Sequence, residues 1–170
     1  MTRDQKIVAV GAASGVLVIT AAMWLLSRAL PASMGLETVG DRLGFALRWN
    51  AVAALPFLAM IIAIGNARAL GPAIDPTLGA ESRAMQINGR VADNTLQQLL
   101  LFVIASLALA ANPPPANMSV IPAAAIVFLI ARIAFWIGYR IHPLYRAPGF
   151  AATCYLNIGL LAAALWLGFR

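Results

Sequence analysis

The chain has 170 residues, 62% of them hydrophobic and only 11% charged, with a formal net charge of +6. Soluble domains sit near 45–50% apolar and about 25% charged, so this composition reads as an integral membrane protein. A single cysteine, Cys154, and a single histidine, His142, argue against a disulfide framework, a Cys-based metal cluster and a His-based zinc or haem site, and no basic patch interleaved with aromatics suggests nucleic acid.

About five apolar segments follow, each near the ~20 residues that cross a ~30 Å hydrocarbon core. The first, "IVAVGAASGVLVITAAMWLL", covers residues 7–26 and is preceded by Arg3 and Lys6. Its apolar run is longer than a typical signal h-region, so it reads as a retained helix. The second covers residues 45–70, has Arg48 and Asn50 at its entrance and is closed by the loop "GPAIDPTLGAES". The third covers residues 90–111 and stops at "NPPPAN", a run that no helix crosses. The fourth covers residues 121–139, "HPLYRAPG" with His142 forms a short turn, and the fifth covers residues 150–169. Lipid cannot satisfy open backbone groups, so these runs are helices and the fold class is all-α.

One set of helix ends carries Arg3, Lys6, Arg68, Arg83, Arg90, Arg140 and Arg146, and the other carries Arg28, Arg42, Arg48 and Arg170. The excess of positive charge on the first set predicts a cytoplasmic N-terminus.

The chemistry concentrates in the third and fourth segments. Arg90, Asn94 and Gln97 fall at i, i+4 and i+7 and share a helical face. Arg132, Phe135 and Tyr139 fall at i, i+3 and i+7 on the next helix, which is its antiparallel neighbour. A rise of 1.5 Å per residue puts Arg132 and Gln97 each about 10 Å inward from their helix ends. A charge at that depth is costly, which predicts that Arg132 meets Asn94 or Gln97. Arg90, Arg132, Arg140 and Arg146 around one cleft, with Asp93 the one nearby acid, suit an anionic ligand, since arginine grips carboxylates in bidentate fashion. Taken singly, Arg140 and Arg146 read as positive-inside residues, Asn94 and Gln97 as helix–helix hydrogen bonds, and Cys154 as a buried inert thiol.

Taken together, these two helices resemble the MAPEG family, the membrane-associated proteins in eicosanoid and glutathione metabolism. That family's second helix typically opens with Arg, Asn four residues later and Glu three after that; here the run is Arg90, Asn94 and Gln97. Its third helix typically carries Arg, an aromatic three later, "GY" and a further Arg past the turn; here these are Arg132, Phe135, Gly138-Tyr139 and Arg146. "LFVIASLALA" and "RAPGF" are similar to bacterial members, and the resemblance covers roughly residues 45–170. It implies a four-helix membrane domain over residues 43–170, with residues 1–30 an additional N-terminal transmembrane helix.

The resemblance also implies a homotrimer in the membrane lipid of a bacterial inner membrane, with glutathione bound between subunits beside a lipid-facing groove for a lipophilic small-molecule substrate. Arg90, Asn94, Gln97, Tyr139 and Arg146 match positions that hold glutathione. Arg132 matches the catalytic arginine at the deep end, where a guanidinium favours thiolate. The chain departs from the family pattern in three ways: Gln97 replaces Glu, Phe135 replaces the Tyr of several members, and the first helix has no counterpart. Two functions follow: a glutathione-dependent transferase or peroxidase acting on lipophilic electrophiles, or a non-catalytic membrane scaffold or lipid-binding protein.

Overall fold

The computed structural model describes residues 1–31, 35–112 and 118–170 and contains five long helices. These are α1 (Arg3–Ala29), α2 (Val39–Ala69), α3 (Arg83–Ala111), α4 (Val120–Ile141) and α5 (Ala147–Gly168). All five are long and apolar enough to cross a membrane, and no strand occurs among the described residues. The fold is therefore all-α and membrane-spanning, as expected. The proline run at 113–117 lies outside the described residues; α3 ends ahead of it, with Asn112 as its C-cap.

Helix starts follow local capping chemistry rather than bilayer thickness. Thr38 and Asp41 form a reciprocal capping box that begins α2 six residues before the apolar run. Ser82 accepts from the Met85 amide at 3.3 Å and begins α3 seven residues before Arg90. Thr2 and Gln5 form a second capping box at α1.

The helices alternate in direction, so the starts of α1, α3 and α5 share one end with the finishes of α2 and α4. Arg68, near the end of α2, pairs with Glu81 just ahead of α3 at 2.6 Å. At the opposite end, Asn112 donates to the Ala164 carbonyl of α5 at 3.3 Å. α4 is the most enclosed helix. It packs on α2, α3 and α5, while α1 lies against α5 and α4. The core is rich in small residues, including Ala46, Ala53, Ala105, Ala124 and Ala131, with Phe102 and Phe128 meeting at 4.8 Å between ring centroids.

Arg42 sits at the second end, as the sequence indicates, but it is only 4% exposed. Its Nε donates to the Ala110 carbonyl at 3.0 Å and its Nη1 to the Glu37 carbonyl at 3.0 Å. Ala110 lies in the last turn of α3, where carbonyls have no helical donor, so Arg42 caps that helix from the side. Arg42→Ala is expected to lower stability by about 1.5–3 kcal/mol, the usual loss for a hydrogen bond to a charged group. A thermal unfolding series in detergent measures it, and Arg42→Lys is expected to recover little.

Candidate functional site

A cleft of about 660 Å³ opens between α1, α3, α4 and α5 at the end of the bundle that holds the starts of α1, α3 and α5. Arg90 and Asn94 line it from α3, and Tyr139 from α4. Arg146 lines it from the short turn Pro143–Arg146. The remaining walls are mostly apolar and come from Phe135 of α4, Leu144 of the turn, α5, and Val8 and Ala12 of α1.

Arg132 stands behind this cleft and is 0% exposed. Its Nη2 donates to Asn94 Oδ1 at 3.0 Å and to Thr95 Oγ1 at 2.9 Å. Its Nε donates to Thr95 Oγ1 at 3.2 Å, and its Nη1 to Thr153 Oγ1 at 3.0 Å. The Phe135 ring lies beneath the guanidinium, 3.9 Å from ring centroid to Cζ. Both threonine hydroxyls direct their own protons back into their helices: Thr95 to the Val91 carbonyl at 2.7 Å, and Thr153 to the Gly149 or Phe150 carbonyl at 3.2 Å. Their oxygens are thereby left to accept from Arg132. Every partner of this cation is neutral; the ion pair found among the described residues is Arg68–Glu81, at the membrane-surface end of α2.

α4 and α5 approach closely enough to bring Arg132 and Thr153 together because Gly149 has no side chain. A Cβ there would lie 2.6 Å from the Phe135 nitrogen and 2.7 Å from the Ala131 carbonyl oxygen. Gly138 does the same for the mouth: a Cβ would run into the Tyr145 carbonyl oxygen. The turn can therefore fold back, and Arg146 donates to Tyr139 Oη at 2.9 Å with its guanidinium 5.0 Å from the ring centroid.

Of the six residues expected at the site, Arg90, Asn94, Tyr139 and Arg146 line the cleft, and Arg132 is tied to it through Asn94. Gln97 does not join them; it is exposed and does not meet Arg132. At about 100° per residue, Asn94 turns roughly 40° from Arg90 toward the bundle, whereas Gln97 turns roughly 20° the other way. Arg140 is also outside the cleft, exposed on α4. Thr95 and Thr153 were not singled out from the sequence. The signal for them was arithmetic: an arginine has five N–H donors, and one carboxamide oxygen cannot satisfy them. Cys154 is not fully buried as expected; it is half-buried and lines the cleft.

The arrangement gathers fixed cations, hydroxyl and carboxamide groups at one end and apolar walls at the other. Among the described residues, no group of His, Cys, Asp and Glu could hold a metal ion. A family model described as MAPEG family matches residues 46–166, which run from α2 to α5 and include every residue of the site except those of α1. Comparison with curated proteins and with solved structures returns no match.

Proposed function

The chain belongs to the MAPEG family, and on that premise we propose that it is a membrane-bound, glutathione-dependent transferase or peroxidase acting on lipophilic electrophiles. The observation that carries this reading is Arg132: a fully buried cation, held by neutral acceptors alone, behind a cleft whose mouth carries Arg90 and Arg146. A site with fixed positive charge and no carboxylate of its own suits a ligand that brings negative charge. Glutathione when bound supplies carboxylates and a thiol nucleophile. Arg90 and Arg146 would hold carboxylates, Asn94 and Tyr139 would orient the peptide groups, and Arg132 would favour the thiolate, which is disfavoured for a free thiol at neutral pH. The apolar walls exclude water and receive the electrophile.

Assembly as a homotrimer is part of the same proposal. Asp93 and Gln97 are exposed on α3 among Leu96, Leu100 and Ile104, and polar side chains on a membrane helix avoid lipid. Helix α3 is thus the face proposed to meet neighbouring subunits. The arginine-rich end of the bundle, where the cleft opens, is proposed to be cytoplasmic, in a bacterial inner membrane, by the distribution of Lys and Arg.

Calorimetry on the wild-type protein in mild detergent tests the function. Binding of glutathione at millimolar concentration or below is the expected result, and its absence at that concentration overturns the reading. The second reading, a non-catalytic scaffold or lipid-binding protein, is favoured by one observation: Gln97, matching a glutathione-holding position of the family, stands outside the cleft.

A further inference from the structure

We propose that α1, which precedes the matched stretch of the chain, sets the specificity of the cleft for the apolar part of the second substrate, with Val8 and Ala12 as the determining residues. The inference rests on the glutathione-dependent reading for the identity of the reaction, and on geometry for the wall itself. The cationic and carboxamide residues of the cleft, Arg90, Asn94 and Arg146, come from α3 and the turn before α5, and α5 adds the Tyr155 hydroxyl. Opposite them the cleft is bounded by apolar side chains of two helices, among them Phe150, Cys154 and Ile158 of α5 and Val8 and Ala12 of α1. A ligand anchored by its charge at Arg90 and Arg146 therefore leaves its partner the apolar side of the cleft, toward α1 and α5.

The α1 wall is fixed in place, because α1 is seated rather than loosely adjacent. Gly11 lies against Ala147 and Pro148, where a Cβ would be 3.1 Å from the Ala147 methyl. One turn on, a Cβ at Gly15 would collide with the Pro148 carbonyl oxygen. Two glycines four residues apart, pressed on the first turn of α5, lock the helix at close range. Ala12 sits between them in sequence and points its methyl into the cleft, while Leu17 on the same helix is 71% exposed. Ala12 leaves room at the centre of this wall, so a bulky side chain there would narrow the space open to an apolar arm. The part of the substrate that the wall would meet is the apolar arm of the lipophilic electrophile.

The test uses the full chain in detergent or lipid nanodiscs with Ala12→Trp, Val8→Ala and, as a lipid-facing control, Leu17→Trp. Cys154 is the single cysteine of the chain and lies in this cleft, so its alkylation by a maleimide reports the width directly, without glutathione. Ala12→Trp is expected to slow labelling several-fold, Val8→Ala to speed it, and Leu17→Trp to leave it unchanged. Leu17→Trp is expected to leave glutathione affinity within about twofold of wild type, since Leu17 lies outside the cleft. Across 2-alkenals of increasing chain length, Ala12→Trp is expected to lower kcat/KM for the longest by about tenfold or more, with little effect on the shortest. Val8→Ala supplies the evidence if the tryptophan variant does not fold. Labelling rates that ignore both cleft substitutions overturn the wall. Altered labelling with no glutathione binding by wild type overturns the proposed function and leaves the wall standing. Altered labelling with glutathione binding and an unchanged chain-length profile overturns the specificity assignment.

Discussion

Replacing Arg132 by methionine is expected to weaken glutathione binding strongly while leaving a folded protein, and replacing Thr153 by valine is expected to do the reverse in kind. Methionine fills similar space without charge, and buried charges are often replaceable by apolar side chains at no cost in stability. The same change removes the cation behind the cleft and leaves Asn94, which lines it, without its Arg132 donor. A lost charge-assisted hydrogen bond is worth about 1.5–3 kcal/mol, so affinity should fall roughly ten- to a hundred-fold or more. Lysine should rescue little: Arg132 reaches Asn94, Thr95 and Thr153 on two helices, and a single ammonium cannot reproduce that fork. Thr153→Val leaves Nη1 of a buried guanidinium without its acceptor, which should cost about 1–3 kcal/mol of stability. Calorimetry and thermal unfolding on the same four proteins separate the effects. An Arg132→Met protein that melts normally and binds glutathione like wild type would remove Arg132 from the site.

Gly149→Val is expected to prevent the native bundle from forming or to leave it severely destabilised. The atoms an added Cβ would meet, the Phe135 nitrogen and the Ala131 carbonyl oxygen, are backbone and cannot swing aside. Overpacking of this kind costs about 1–3 kcal/mol even where side chains can give. Here α4 and α5 must separate, and with them the bond between Arg132 and Thr153. Gly159→Ala on the same helix is the internal control, because nothing lies within 4 Å of its added methyl. It should be neutral or gain up to about 1 kcal/mol of helix propensity. Thermal unfolding and gel filtration in detergent compare the two; equal behaviour would show that the close approach of α4 and α5 is dispensable.

How far the sequence speaks for this structure depends on which physical signal each feature leaves. The five helices are legible because a bilayer demands long apolar runs and forbids open backbone. Their starts are less so: the apolar run measures the bilayer, whereas α2 and α3 begin at Thr38 and Ser82, outside it. Equal depth on antiparallel helices brings Arg132 to the neighbourhood of Asn94 and Gln97 but does not choose between them; the structure pairs it with Asn94. Gln97 defeats the same logic, because an i+7 residue drifts back past its reference on a helix of 3.6 residues per turn, and at the edge of a packed face that drift decides between cleft and exterior. Thr95 and Thr153 leave almost no trace, since a hydroxyl in an apolar helix ordinarily satisfies itself on its own backbone. Only the demand of a buried guanidinium turns those oxygens outward. Arg42 shows the converse: a residue counted with the surface charges is drawn inside by the open carbonyls of α3.

The seating of α1 on α5 fixes an order of events during synthesis. Helix α1 emerges well before its main partner α5, with well over a hundred residues of chain between them. At roughly 5–20 residues per second, α1 waits on the order of ten seconds in the bilayer before Pro148 exists to receive Gly11 and Gly15. Its surface suits the wait. Only Gly15 and Ile19 of its 27 residues are buried in the finished bundle. The nascent helix therefore hides almost nothing that lipid cannot solvate, and the cleft closes only when α5 arrives.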